Sequence, residues 1–200
     1  MKRIWIPLFA LLIALAAPAL IGCGAADSPA TTGAKETVAV GKIVASGRLE
    51  REIASDRIFT VDDLLNAGFK RSKSYDVTSL EKATAAIYGF YGEDDYKRQE
   101  YELRLYASHQ DAVQYGGPMA EEGSGPNAKV VEDEASWKEG IRERRACEGN
   151  VRGSHHVGKC TNPKYGDYMI VGNLIMLCQG QDSATAIANC QAFLRKLGVP

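Results

Sequence analysis

Two apolar runs, Tyr168-Met169-Ile170-Val171 and Leu174-Ile175-Met176-Leu177-Cys178, are separated only by Gly172-Asn173. A two-residue spacer of this composition turns the chain back on itself through a primed turn, so the runs must pair as an antiparallel hairpin. Asp182 follows as a helix cap, and Ser183 to Leu197 reads as a helix that stops at Gly198. Its apolar stripe, Ile187, Cys190, Leu194 and Leu197, must face the hairpin, which carries Cys190 towards Cys178. A sheet with a helix laid on it is therefore the starting point for the whole domain.

Four of the five cysteines, Cys147, Cys160, Cys178 and Cys190, lie in this last part of the chain, and Cys23 stands apart. An even number clustered in this way suits two disulfides in an oxidising compartment, with three connectivities open. The favoured pairs are Cys147–Cys160, which closes a Gly-rich loop, and Cys178–Cys190, which pins the last helix to the strand before it. The front of the chain agrees with export. Lys2 and Arg3 precede an apolar run from Ile4 to Leu20, which ends at Gly22-Cys23. Residues 1–22 are thus expected to be a signal peptide. Residues 23–50, rich in Ala, Gly, Ser and Thr and without an aromatic, form a flexible tether, with Val38, Val40, Ile43 and Val44 as a short strand near its end. Residues 51–200 are expected to form a single α+β domain, long enough to bury about two-thirds of its unfolded surface.

Within that domain, Thr60 to Gly68 reads as a short helix with both caps written in. Ala85–Tyr91 and Glu100–Tyr106 read as strands. In the second, Tyr101, Leu103 and Leu105 take one face, while Glu100, Glu102 and Arg104 take the other, which implies one buried and one wet side. Ser108 and Asp111 open a helix that Gly117-Pro118 bends. Val130-Val131 is expected as a brief strand and Glu134–Ala146 as a helix around Trp137 and Ile141. The expected fold is an antiparallel sheet built from two ββα units, with both helices packed on one face and disulfides holding the C-terminal half.

The net charge of −1 gives no electrostatic footprint for nucleic acid, so no such partner is expected. The basic stretch 138–164 carries Lys138, Arg142, Arg144, Arg145, Arg152, Lys159 and Lys164 against Glu139, Glu143 and Glu148. It suits either a solvated helix face or a surface for anionic lipid head groups or an acidic polymer. Cys147, His155, His156 and Cys160 have the residue types of a zinc site but not a recurrent spacing, and no metal or cofactor is expected. Tyr88, Phe90, Tyr101 and Tyr106 are candidate residues for a ligand cleft, with cross-strand aromatic packing as the plainer explanation. Ser108, His109 and Asp111 contain triad residue types at a position where capping accounts for Ser and Asp. None of the Gly-rich phosphate loop, H-E-x-x-H and G-x-S-x-G patterns occurs.

Leu20-Ile21-Gly22-Cys23 resembles the lipobox of bacterial lipoproteins. That resemblance implies acylation of Cys23 and anchoring to a membrane, with the domain held outside the cytoplasm. Phe59–Leu65 followed by Ala67-Gly68-Phe69, Tyr88–Tyr91, Tyr106–His109 and Lys164–Tyr168 resemble a family of uncharacterised bacterial lipoproteins, a domain of unknown function. Val171–Leu174 with the helix after it is similar to extracytoplasmic sensor domains of some bacterial kinases. The expected role is a non-enzymatic ligand-binding or sensing domain in the cell envelope, whose partner is a small molecule or another envelope component. The alternatives are an envelope hydrolase assembled near His109 or His155-His156, and a purely structural protein.

Overall fold

The computed structural model describes residues 50–92, 94–147 and 160–199. The signal segment, Cys23, the tether up to residue 49 with its expected strand, and His155-His156 lie outside the described residues. In chain order the strands are β1 (Glu52–Ile53), β2 (Lys70–Ser74), β3 (Ala83–Tyr91), β4 (Gln99–Tyr106), β5 (Arg145–Ala146), β6 (Asn162–Pro163), β7 (Tyr165–Val171) and β8 (Leu174–Gln179). The helices are α1 (Val61–Asn66), α2 (His109–Asp111), α3 (Gly117–Gly123) and α4 (Ser183–Lys196), with one wide turn, Ala112–Gly116, joining α2 to α3. Six strands form one sheet in the order β1-β7-β8-β4-β3-β2, and β5 pairs with β6 apart from it. Every pairing is antiparallel except that of β1 with β7.

Local chemistry explains the ends of these elements. At α1 the Thr60 hydroxyl accepts from the Asp63 amide while the Asp63 carboxylate takes the Thr60 amide, a reciprocal cap. Asp182 caps α4 by accepting from the Thr185 amide. Pro118 has no N–H to continue a regular ladder, and the Gly117 amide reaches back five residues to the Ala112 carbonyl, which makes the wide turn. In the β7–β8 turn only Gly172, at φ +53°, takes the left-handed region, as the first central residue of a type II′ turn does.

The sheet is covered on both sides. Tyr101, Leu103, Leu105, Met169, Leu174, Met176 and Cys178 pack against Ile187, Cys190, Phe193 and Leu194 of α4 and Leu64 of α1. The alternate residues, Tyr106, Ile170, Ile175 and Leu177, pack against Ala112 and Ala120 of the helical segment after β4. The helices after the two hairpins therefore lie on opposite faces, not on one. The reason lies in β4 and β8, whose side chains are apolar or dry on both faces: Glu102 and Arg104, expected in water, are completely buried. Two further expectations are corrected. Glu134–Ala146 forms no helix but turns and bends that lead into β5, with Gly140 at φ +75°, and Val130-Val131 is not a strand. Lys70–Ser74, whose residues are all exposed, is a strand because it borrows the open edge of β3.

The sulfurs of Cys147 and Cys160, and of Cys178 and Cys190, lie at disulfide-bonding distance. The second pair joins the centre of the sheet to α4 across 12 residues. A closed loop of that size stabilises the fold by about 3 kcal/mol in the chain-entropy model.

Candidate functional site

The least ordinary feature of the molecule is a dry ionic cluster on the face opposite α4. From β4, Arg104 Nε donates to Glu102 Oε1 at 2.8 Å. From the turn before β5, Arg144 Nε donates to Glu102 Oε2 at 2.9 Å, and its Nη2 donates to Oε1 at 3.1 Å. Both guanidinium carbons sit over the Trp137 ring, at 4.9 Å for Arg104 and 4.8 Å for Arg144. Arg144 Nη1 and Nη2 also donate to the Trp137 and Glu139 carbonyls, at 3.2 and 2.7 Å. Those two bonds hold residues 137–144 in turns and take up carbonyls that a helix would have used. One carboxylate thus serves two cations, all three buried. Arg104 Nη2 also lies 2.6 Å from Glu102 Oε1, while the buried Tyr165 hydroxyl has no hydrogen-bond partner among the described residues.

An open cleft of about 630 Å³ lies over this cluster. Lys73, Tyr75, Lys138, Arg142, Arg145, Glu132, Glu139 and Glu143 supply its polar lining. At its floor, Gly140 lies between the cleft and the cluster: a Cβ there would stand 3.0 Å from Glu102 Oε2 and 3.1 Å from the Tyr75 hydroxyl. Lys73 pairs with Glu143, and the Tyr75 hydroxyl donates to Glu143 at 3.4 Å. Burial, with Glu102 and Glu143 close by, pushes the Tyr75 phenol far up, so it remains a neutral donor.

A second cleft, of about 660 Å³, opens where β7 and β8 end and α4 begins. Its walls are Gly125-Pro126, Ala146, Asn162-Pro163, Tyr165-Gly166 and Gly180 to Ser183. It adjoins the Cys147–Cys160 pair through β5 and β6, whose register matches Ala146 to Asn162. Backbone meets backbone here: a Cβ on Gly166 would fall 2.5 Å from the Asp182 carbonyl and 2.7 Å from that of Gly180. Among the described residues, Asp182 is the only charged side chain in the lining, and it is occupied by capping.

The four aromatic candidates do not share a cleft. Tyr101 lies in the core under α4, with its hydroxyl donating to the Asn189 carbonyl at 3.0 Å. Tyr106 is buried on the other face. Tyr88 and Phe90 meet edge to face at 5.5 Å, where the Tyr88 hydroxyl donates to Glu100 and Lys164 pairs with the same carboxylate. Ser108, His109 and Asp111 are not a triad. Ser108 caps α2 and donates to Asp111, while His109 turns to the Gly172 carbonyl at 2.9 Å and Glu52 at 3.1 Å. The basic stretch is divided: Lys138, Arg142 and Arg145 line the polar cleft, the last with its Nε on the Val130 carbonyl at 2.5 Å, while Arg144 is interior and Lys164 is paired with Glu100. Among the described residues, no group of three or more His, Cys, Asp or Glu side chains is placed to hold a metal ion, and no helix is long and apolar enough to cross a membrane.

The sequence signals for the two clefts are weak, since one is walled mainly by backbone and small residues, and the other depends on turns that read as a helix. Residues 60–198 match the model of a family described as a family of unknown function (DUF6810). No curated protein and no solved structure matches the chain.

Proposed function

Since the chain belongs to the DUF6810 family of unknown function, we propose a role from its own residues: a lipid-anchored extracytoplasmic lipoprotein whose domain binds a small ligand without chemically changing it. The reading rests on the cleft at the start of α4. Its volume of about 660 Å³ falls within the range of small-molecule sites, and it offers a ligand backbone carbonyls, amides and small side chains. The one carboxylate among its described lining residues, Asp182, is already bonded to the Thr185 amide at 2.7 Å. Such a lining suits a neutral molecule that both donates and accepts hydrogen bonds. The paired cysteines beside it support an oxidising compartment, and Leu20-Ile21-Gly22-Cys23 supports the anchor.

Two experiments test this. Native mass spectrometry of the full chain, extracted from envelope in mild detergent, is expected to show a small neutral molecule bound. That mass should be lost in Ala146→Phe, which fills the cleft wall from β5. A ligand-free spectrum for both proteins would overturn the binding role. For the anchor, Cys23→Ser is expected to move the protein from the membrane fraction to the soluble fraction, and unchanged fractionation would refute lipidation.

A further inference from the structure

The polar cleft over Gly140 is distinct from the one at α4 and has its own chemistry. Four cations, Lys73, Lys138, Arg142 and Arg145, stand in its lining against Glu132, Glu139 and Glu143. Glu143 is neutralised by Lys73, and the side chains of Lys138 and Arg142 have no hydrogen-bond or ion-pair partner among the described residues. Immediately below, Arg104 and Arg144 share the one carboxylate of Glu102, which leaves a surplus positive charge in a dry interior. Charge of that kind is poorly screened, and its field reaches the cleft floor through the Gly140 backbone. The lining and the interior therefore both carry more positive than negative charge.

We infer that this cleft is a phosphate site, in which the free Arg142 fork and the Lys138 ammonium grip a phosphate group above the surplus charge of the Arg104–Glu102–Arg144 cluster. Arg142 supplies paired donors that match two phosphate oxygens, and Lys138 supplies a compact point charge. Tyr75, held neutral at the floor, adds a hydroxyl. Glu132 and Glu139 share the lining and weaken binding by repulsion. The phosphate can come from a free phosphate or phosphomonoester, or from the diester head group of an anionic phospholipid.

Calorimetric titration of the full chain in a non-ionic detergent tests the site with three soluble probes: inorganic phosphate, glycerol phosphate and glycerophosphoglycerol. Saturable binding with a dissociation constant of about 1 mM or tighter is expected for at least one of them. Preference for the diester assigns the head group, and preference for the other two assigns free phosphate. Lys138→Gln with Arg142→Gln, both at exposed positions, is expected to weaken binding by roughly tenfold or more while the circular dichroism spectrum stays unchanged. Glu139→Gln is expected to tighten it several-fold. No saturation with any probe, or undiminished affinity in the double variant, overturns the inference. Neither result bears on the neutral ligand at α4, which Ala146→Phe reports separately.

Discussion

Replacing Glu102 by alanine is expected to destabilise the folded protein by about 3–5 kcal/mol, read from urea denaturation, because it leaves two guanidiniums buried without a counter-charge. Removing one cation is gentler, since Glu102 then keeps the other. The pH dependence gives a second readout. Burial alone would push the Glu102 carboxyl up, but the charges of Arg144 and Arg104 and their hydrogen bonds outweigh it and hold the group below its ordinary 4.5. A carboxyl held down in the folded state contributes stability that is complete above its unfolded value and is lost as pH falls through the folded one. The native protein is therefore expected to lose stability as the pH drops below about 4.5, and Glu102→Gln to show a flatter acid limb. A loss under about 1 kcal/mol in the alanine variant would mean that the cluster contributes no more than an exposed ion pair.

Asn173→Ala is expected to be nearly as damaging. Asn173 is buried, and its side chain closes three bonds that no neighbour can replace. Its oxygen accepts from the Phe59 amide at 2.6 Å, and its nitrogen donates to the Phe59 and Tyr106 carbonyls at 3.0 and 2.8 Å. The truncation orphans three main-chain groups in a dry place, each at about 1–1.5 kcal/mol, for a total of roughly 3–5 kcal/mol. Asn173→Asp tests the mechanism, because it keeps an acceptor for Phe59 but loses both donated bonds. Guanidinium melts of the two variants that match the native midpoint would rule out this role for the turn.

What the chain discloses about itself follows the range of the interactions. The α1 cap, the Gly172-Asn173 turn and the Asp182 cap are settled by residues within four positions of one another, and each stands where its residues place it. The Cys178–Cys190 pair is the favoured one of three connectivities, and it is the packing of α4 on the sheet, which no local pattern sets, that brings the two sulfurs together. Two features read differently from what the structure shows, and a third, Lys70–Ser74, carries no signal to read. Glu102 and Arg104 look like the wet side of β4, and only Arg144, 42 residues away from Glu102, makes them an interior pair. The 134–146 stretch has helical spacing, yet the Arg144 guanidinium takes its carbonyls. Lys70–Ser74 has no apolar residue to mark it as a strand. The clefts are hidden for related reasons, as are the true positions of Tyr101 and Tyr106, which alternation places on opposite faces two strands from any edge.

The middle of the sheet is made by β8, which arrives only at residue 174 and pairs with β4 some seventy positions earlier. A chain threading out from its amino end must hold a β3–β4 ribbon open at one margin until that missing slat is delivered, a long-range closure of the kind that folds slowly. Through that interval Glu102 and Arg104 are not yet dry. Their charges make the waiting margin a poor template for a stray strand, so they act as gatekeepers against self-association before they become part of the core.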